Sequence, residues 1–106
     1  LLVSGVSFSA GNSMATIFNE NNLGPILGIR TGGGTSSITP ILLPNGTAFT
    51  MSSNSMNGIR SGSGTELDPY VYTNNEAGIT PDYQLGVDAL YDEASILAIL
   101  NGHIWP

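Results

Sequence analysis

The sequence has no cysteine, no lysine and few charged residues of any kind. Without cysteine the chain can form neither a disulfide nor a metal site built on thiolates. The chain has two arginines and eight acidic residues, which gives a formal net charge of −6 at pH 7. Because such a chain is repelled by phosphate backbones and anionic lipid, we expect no nucleic acid partner.

Long apolar runs are also missing. No stretch approaches the roughly 20 apolar residues that cross a bilayer, so we expect no membrane span in this segment. The chain starts without methionine or a leader, which suggests a piece of a longer protein. Its 106 residues allow one domain, residues 1–106. Serine, threonine and asparagine far outnumber the charged residues. This composition favours an extracytoplasmic location: periplasmic, cell-surface or secreted.

The first thirty residues predict a strand, a helix and a second strand. Residues 1–6 form an apolar run that is too short for a helix. Met14, Ile17 and Phe18 then fall on one helical face, and residues 25–29 read as a second buried strand. A unit of this size pairs its two strands in parallel, with the helix covering one face of the sheet.

The middle of the chain predicts a β-hairpin followed by a long loop. Residues 41–43 and 47–51 flank Pro44-Asn45-Gly46, a tripeptide with strong turn chemistry. Met51, at the hairpin end, is predicted to join the core. Residues 52–69, which include Met56, lack any sustained period and are predicted to be loop.

The last third predicts two extended segments and a helix. Residues 70–72 form a short strand, and residues 78–83 enter another extended segment. Apolar side chains from Val87 to Ala98 recur at helical spacing, and Asp88 lies near the start of this helix. Together these elements predict an α/β fold with a mixed sheet, a β-hairpin and a C-terminal helix.

The stretch SFSAG, residues 7–11, has the small-x-Ser-x-Gly form of a nucleophile elbow. Such a turn holds Ser9 Oγ outward and aims the first helical amide, that of Ala10, at an oxyanion formed beside it. Serine before a helix is also a common N-cap, so a purely structural role stays open. Ser7 and Ser13 lack the same position at the turn.

Candidate bases and metal ligands are scarce. The one histidine, His103, follows the last helix, where a capping or dipole role is commoner than catalysis. Asp88, Asp92 and Glu93 are predicted to face water, so no metal site and no cofactor are expected. Residues 32–34 could form a phosphate cradle only with a following lysine, which is absent.

Four blocks carry a resemblance to a known family: FSAGNSMATIF, GPILGIRTGGG, ILLPNGTAFTMSS and NEAGITPDYQL. In this order they resemble the carboxyl-terminal processing (tail-specific) serine protease family. The resemblance implies the C-terminal portion of a ClpP/crotonase-like α/β catalytic core. It also implies a serine-type endopeptidase acting on peptide or protein substrates, with Ser9 as nucleophile and the Ala10 N–H as one oxyanion donor.

The glycine loop distinguishes two branches of that family. Where serine-lysine members carry lysine, this sequence has about Gly34, so it looks nearer the branch of tricorn protease and the retinoid-binding repeats. There the base of the proteolytic members is a histidine from an earlier segment, and Glu76 matches a glutamate that supports the relay. Glu76 could equally be a solvated loop residue. Gly32, Gly33 and Gly34 are predicted to approach the backbone beside Ser9, where they could pair with an extended substrate.

The function predicted from these residues is peptide hydrolysis through an acyl-enzyme on Ser9, with the base and a second oxyanion donor supplied by upstream sequence. The 106 residues alone are then expected to be nearly inactive. A non-catalytic module that binds a ligand or peptide on the same fold is the main alternative, and an accidental resemblance is the last one. An exposed sheet edge could also allow a homo-oligomer.

Overall fold

The computed structural model describes residues 1–53 and 58–105. Within these ranges the α-helices are α1 (Ala10–Glu20) and α2 (Glu93–Gly102). The strands are β1 (Leu2–Val3), β2 (Leu27–Gly28), β3 (Ile38–Leu42), β4 (Ala48–Ser52), β5 (Ile59–Ser61), β6 (Val71–Tyr72) and β7 (Tyr83–Gln84). Two short 3₁₀ helices, Asn75–Ala77 and Asp88–Tyr91, complete the described elements.

A parallel sheet with the order β1-β2-β7 forms the centre of the fold. Leu2 pairs with Leu27, and Leu27 in turn pairs with Tyr83. The predicted strand, helix and parallel strand at the start of the chain are therefore confirmed, and with them the α/β class. The described antiparallel pairs, β3 with β4 and β5 with β6, form two separate two-stranded sheets outside this parallel sheet.

The small apolar core lies between α1 and this sheet. Val3, Ala15, Ile26 and Ile79 are buried there, and Phe18 packs against them. The apolar face that the helical spacing indicates is buried only in part: Phe18 packs on the core, but Met14 is 50% exposed and Ile17 is 40% exposed.

The buried face of α1 is partly polar instead. It consists of Asn12, Ala15 and Thr16. Buried polar side chains are tolerated only with hydrogen-bond partners, and both polar residues have them. Hydrogen-bonded polar side chains therefore occupy part of the face that packing residues would normally fill.

The predicted first hairpin is confirmed as β3 paired antiparallel with β4. Gly46 supplies the positive φ of its turn at 86°, and the Thr47 N–H donates to Asn45 Oδ1 over 3.0 Å. The prediction that Met51 joins the core is wrong, since this side chain is 51% exposed. The physical reason is that every residue of β4 is exposed, so the hairpin gives Met51 no interior to enter.

The predicted loop over residues 52–69 is wrong at Ser52, which ends β4, and again where β5 lies within it. β5 pairs antiparallel with β6 through the register Ile59 with Tyr72 and Ser61 with Val71. Three residues have too little alternation to identify a strand alone, so the pairing partner decides the conformation. Residues 54–57, including Met56, lie outside the described residues.

The predicted C-terminal helix is present but interrupted. Asp88–Tyr91 is a 3₁₀ helix, and α2 begins only after Asp92, whose φ of −97° and ψ of 92° are extended. The Ser95 hydroxyl donates to Asp92 Oδ2 over 2.6 Å and holds the pKa of that carboxyl below its ordinary value. Among the described residues, neither α1 nor α2 has the length and apolar character that crossing a bilayer requires.

Candidate active site

Ser9 occupies a strained turn directly before α1. Its φ is 55° and its ψ is −113°, a conformation that a residue with a Cβ rarely adopts. Such a backbone costs about 1 to 3 kcal/mol and persists only where the surroundings impose it. Here two hydrogen bonds of 2.9 Å hold the residue: the Ser9 N–H donates to the Gly33 carbonyl, and the Ser13 N–H donates to the Ser9 carbonyl.

The Ser9 side chain is exposed and uncommitted. Its hydroxyl does not cap α1 and makes no hydrogen bond with any residue that the structure describes. The two rival serines are engaged locally, because Ser7 Oγ accepts from the Ser4 N–H over 3.0 Å and Ser13 Oγ donates to the Ser9 carbonyl over 3.2 Å. Capping therefore does not explain the position of Ser9 before α1.

The amide next to Ser9 is also available. Ala10 is exposed and is the first residue of α1, so its N–H has no acceptor inside the helix. The positive end of the helix dipole reinforces its attraction for negative charge. One donor therefore lies beside the free hydroxyl, where an oxyanion from attack by Ser9 would form.

The glycine loop is packed against the Ser9 turn. The Gly32 N–H donates to the Ser7 carbonyl over 3.0 Å, and Phe8 pairs with Gly33 as an isolated parallel bridge. Gly33 has a φ of 78°, and a Cβ there would overlap the backbone carbonyl of Glu76. A Cβ at Gly34 would overlap the Phe8 ring. The loop thus lies between the Ser9 turn and the Glu76 segment, at a distance that only glycine allows.

Glu76 reaches the far end of the same loop. Its Oε1 accepts hydrogen bonds from Ser36 Oγ over 2.6 Å and from Thr35 Oγ1 over 2.7 Å. These two hydroxyls, that of Ser36 first, hold the pKa of the exposed Glu76 carboxyl below its ordinary value. The structure thus brings the Ser9 turn, the glycine loop and Glu76 together through contacts within one loop. The predicted relay role of Glu76 stays a prediction.

His103 lies at the opposite end of α1. Its Nδ1 is 2.9 Å from the Tyr83 hydroxyl, and it lines a cavity of about 210 Å³ with Asn22 and Asp82. Asn22 follows the C-terminal end of α1, whereas Ser9 precedes its first residue. A helix of 11 residues is about 16 Å long, so His103 does not reach Ser9.

Asp82, near the central sheet, has a structural role. Asp82 Oδ2 accepts a hydrogen bond of 2.8 Å from the Ile26 N–H, so it ties the segment before β7 to β2. Within residues 1–53 and 58–105, no three or more histidine, aspartate and glutamate side chains are grouped so that they could hold a metal ion.

A buried polar network, which the sequence did not reveal, joins α1 to the segments next to the glycine loop and Glu76. Asn12 Nδ2 donates to the Asn75 carbonyl over 2.9 Å, and Asn12 Oδ1 accepts from Thr31 Oγ1 over 2.5 Å. Thr31 Oγ1 also accepts from the Ile79 N–H over 2.6 Å. The available signal was the pair Asn12 and Thr16, polar side chains four residues apart on one face of a helix.

A comparison with protein families identifies the family to which these residues belong. The model of peptidase family S41 matches residues 1–85, a range that includes Ser9, the glycine loop and Glu76. The chain belongs to peptidase family S41. This S41 chain thus comes from a family of serine peptidases, and the family was the one that the four sequence blocks indicated. A comparison with curated proteins found no match.

Proposed function

We propose that this S41 chain carries the nucleophile of a serine peptidase. The observation that supports this most strongly is the strained φ of 55° at Ser9, whose exposed hydroxyl has no partner among the described residues. Strained backbone of this kind is common at active sites. Ser9 Oγ attacks the peptide carbonyl, and the Ala10 N–H stabilises the resulting oxyanion.

The proton balance of this reaction requires a base. The Ser9 hydroxyl gives its proton to the base as the acyl-enzyme forms, and the base then protonates the leaving amine. Water hydrolyses the acyl-enzyme in the second half of the reaction. The chain has no lysine, and His103 lies at the other end of α1. We therefore place the base and a second oxyanion donor outside these residues, and the chain alone then turns over little substrate.

Glu76 is the proposed support for that base. Its carboxylate accepts hydrogen bonds from Ser36 and Thr35, and these hydroxyls lower its pKa and can bridge to an imidazole. A carboxylate in this position orients the base and stabilises its charged form. With Gly34 in place of lysine, this arrangement favours the branch of tricorn protease and the retinoid-binding repeats. The simpler alternative is that Glu76 only fastens the loop.

Three further features belong to the proposal. The substrate is a peptide or protein, and cleavage is of the endopeptidase, tail-specific kind that the sequence resemblance implies. The location is periplasmic, cell-surface or secreted, as the neutral polar composition favours. The sheet edges formed by β1 and β7 offer a surface for a homo-oligomer.

A fluorophosphonate probe tests the proposal in the full-length protein that contains this chain. The probe forms a covalent adduct with an activated serine, so the wild type is expected to be labelled and Ser9→Ala is not. Ser13→Ala is the matched control, since it removes a neighbouring hydroxyl and is expected to retain the label. Labelling that persists in Ser9→Ala contradicts the assignment of Ser9 as the nucleophile.

A binding function on the same fold is the second candidate. The observation that favours it is the exposed apolar surface beside Ser9, where Phe8 is 59% exposed and Val6 is 90% exposed. An absence of labelling, together with saturable binding of an apolar ligand or peptide that Phe8→Ala weakens, supports the binding module. Labelling of Ser9 supports the peptidase.

A further inference from the structure

One buried side chain on α1 contacts the residue next to each of two candidate segments, the glycine loop and Glu76. Asn12 is fully buried at 0% exposure and lies three residues after Ser9 on α1. Its first partner, Thr31, directly precedes the glycine loop, and the residue that supplies its second partner, Asn75, directly precedes Glu76. Both partners are themselves buried.

We propose that Asn12 is a positioning residue that sets the geometry of the glycine loop and the Glu76 segment relative to Ser9. This inference rests on the proposed function, because the turn that it positions carries the proposed nucleophile. Asn12 acts through Thr31 and Asn75 and does not itself touch the reacting atoms.

The amide chemistry of Asn12 suits this role. Its Oδ1 accepts from the Thr31 hydroxyl while its Nδ2 donates to the Asn75 carbonyl, so one side chain serves a donor and an acceptor in different segments. An aspartate could not donate to Asn75, and an apolar side chain could do neither. Because a buried polar group without a partner is costly, the arrangement that satisfies both groups is strongly preferred.

Thr31 extends the network to a third piece of chain. Its hydroxyl accepts from the Ile79 N–H over 2.6 Å, and its own N–H donates to the Ile79 carbonyl over 3.0 Å. The segment from Asn75 to Ile79 is therefore fixed at both ends, one end by Asn12 and the other by Thr31. Glu76 lies between these two ends.

These contacts close a ring around the Ser9 turn. The Ser9 N–H is bonded to Gly33, Gly33 follows Thr31 by two residues, and Thr31 is bonded to Asn12. Asn12 returns to Ser9 through the first turn of α1. A backbone as strained as that of Ser9 needs restraint from both sides, and this ring supplies it.

Amide hydrogen exchange and probe labelling of the full-length protein test the role. The main variants are Asn12→Leu, which keeps the branched shape but has no polar atom, and Thr31→Val, which replaces the hydroxyl with a methyl group. In each we expect exchange at the Ser9 and Gly32 amides to accelerate about tenfold beyond any change shared by the rest of α1. The rate of labelling by the fluorophosphonate is expected to fall at least about tenfold, since the nucleophile is displaced.

Two variants separate positioning from simple stability. Thr16→Val also removes a buried hydroxyl, but that hydroxyl donates to the Asn12 carbonyl inside α1 over 2.9 Å and makes no hydrogen bond to another segment among the described residues. This variant is expected to leave the labelling rate unchanged, and exchange at the Ser9 and Gly32 amides is not expected to accelerate relative to the rest of α1. Thr31→Ser keeps the hydroxyl and is expected to restore both. If Asn12→Leu does not fold, Thr31→Val and Thr31→Ser still decide the matter.

The inference and the proposed function fail in different ways. If Thr31→Val changes exchange no more than Thr16→Val does, the positioning role of Asn12 is overturned, whatever the probe shows. If the wild type is not labelled, the peptidase function fails, while the exchange at Ser9 and Gly32 still decides whether Asn12 holds the loop in place.

Discussion

The backbone amide of Ser9 lies 2.9 Å from the carbonyl oxygen of Gly33, so a hydrogen bond joins the candidate nucleophile directly to the glycine loop. This bond occupies the Ser9 N–H, whereas the following amide, that of Ala10, has no acceptor inside α1 because Ala10 is the first residue of the helix. The loop therefore contributes geometry, while the helix contributes the electrostatics of the proposed site.

The strain at Ser9 predicts an unusual response to glycine. Ser9→Gly removes the Cβ that conflicts with a φ of 55°, so we expect the free energy of unfolding to rise by about 1 kcal/mol. Ser13→Gly is the matched control in the interior of α1, where glycine should lower it by about 0.5 kcal/mol. Urea unfolding of the two variants measures both values, and a loss of stability in Ser9→Gly contradicts the strain.

The glycine loop predicts a difference between two glycines of similar conformation. Gly33 has a φ of 78° and no room for a Cβ, whereas Gly46 has a φ of 86° and open space around it. Gly46→Ala should therefore cost about 1 kcal/mol from backbone strain alone. Gly33→Ala should cost about 3 kcal/mol, because the Glu76 segment must also move. Equal losses in denaturant unfolding contradict the close approach.

The carboxyl of Glu76 is predicted to titrate below its ordinary pKa of 4.5. Because the folded-state pKa is lowered, the bonds from Ser36 and Thr35 stabilise the loop above pH 4.5 and are lost as the pH falls through the lowered value. Carbon-detected NMR of the Glu76 carboxyl measures the midpoint.

Two variants check the cause of this lowered pKa. Combining Ser36→Ala with Thr35→Val should move the Glu76 midpoint back toward 4.5, since both hydroxyl donors are gone. Ser37→Ala changes an exposed neighbour whose hydroxyl is not among the described donors to Glu76, and it should leave the midpoint in place. A midpoint that the double variant does not raise contradicts the role of the two hydroxyls.

Asp82 is predicted to be structural. Asp82→Ala removes the acceptor of the Ile26 N–H and should cost about 1 to 3 kcal/mol of unfolding free energy. Asp82→Asn keeps an oxygen at that position and should lose less. Thermal unfolding compares the two variants, and equal losses contradict a role based on the hydrogen bond.

Local signals in the sequence identified much of the fold and the Ser9 turn. Small residues around Ser9 followed by helical spacing, and turn chemistry at Pro44-Asn45-Gly46, each act over a few residues, so they can be read without knowing the partners. The parallel pairing of β1 with β2 followed from the length of the connection.

The features that the sequence did not reveal depend on distant partners. Asn12 looks like a solvent-facing helix residue until its partners are known, and these lie 19 and 63 residues away along the chain. β5 becomes a strand only by pairing with β6. Met14 and Met51 stay exposed because neither side chain packs against the described core. Periodicity cannot report such long-range choices.

The most direct test of the central claim is to map, by mass spectrometry, the residue that a fluorophosphonate modifies in the full-length protein. A single adduct on Ser9 is expected, formed before any on Ser7 or Ser13. An adduct on another serine, or none under conditions in which the protein is folded, contradicts it.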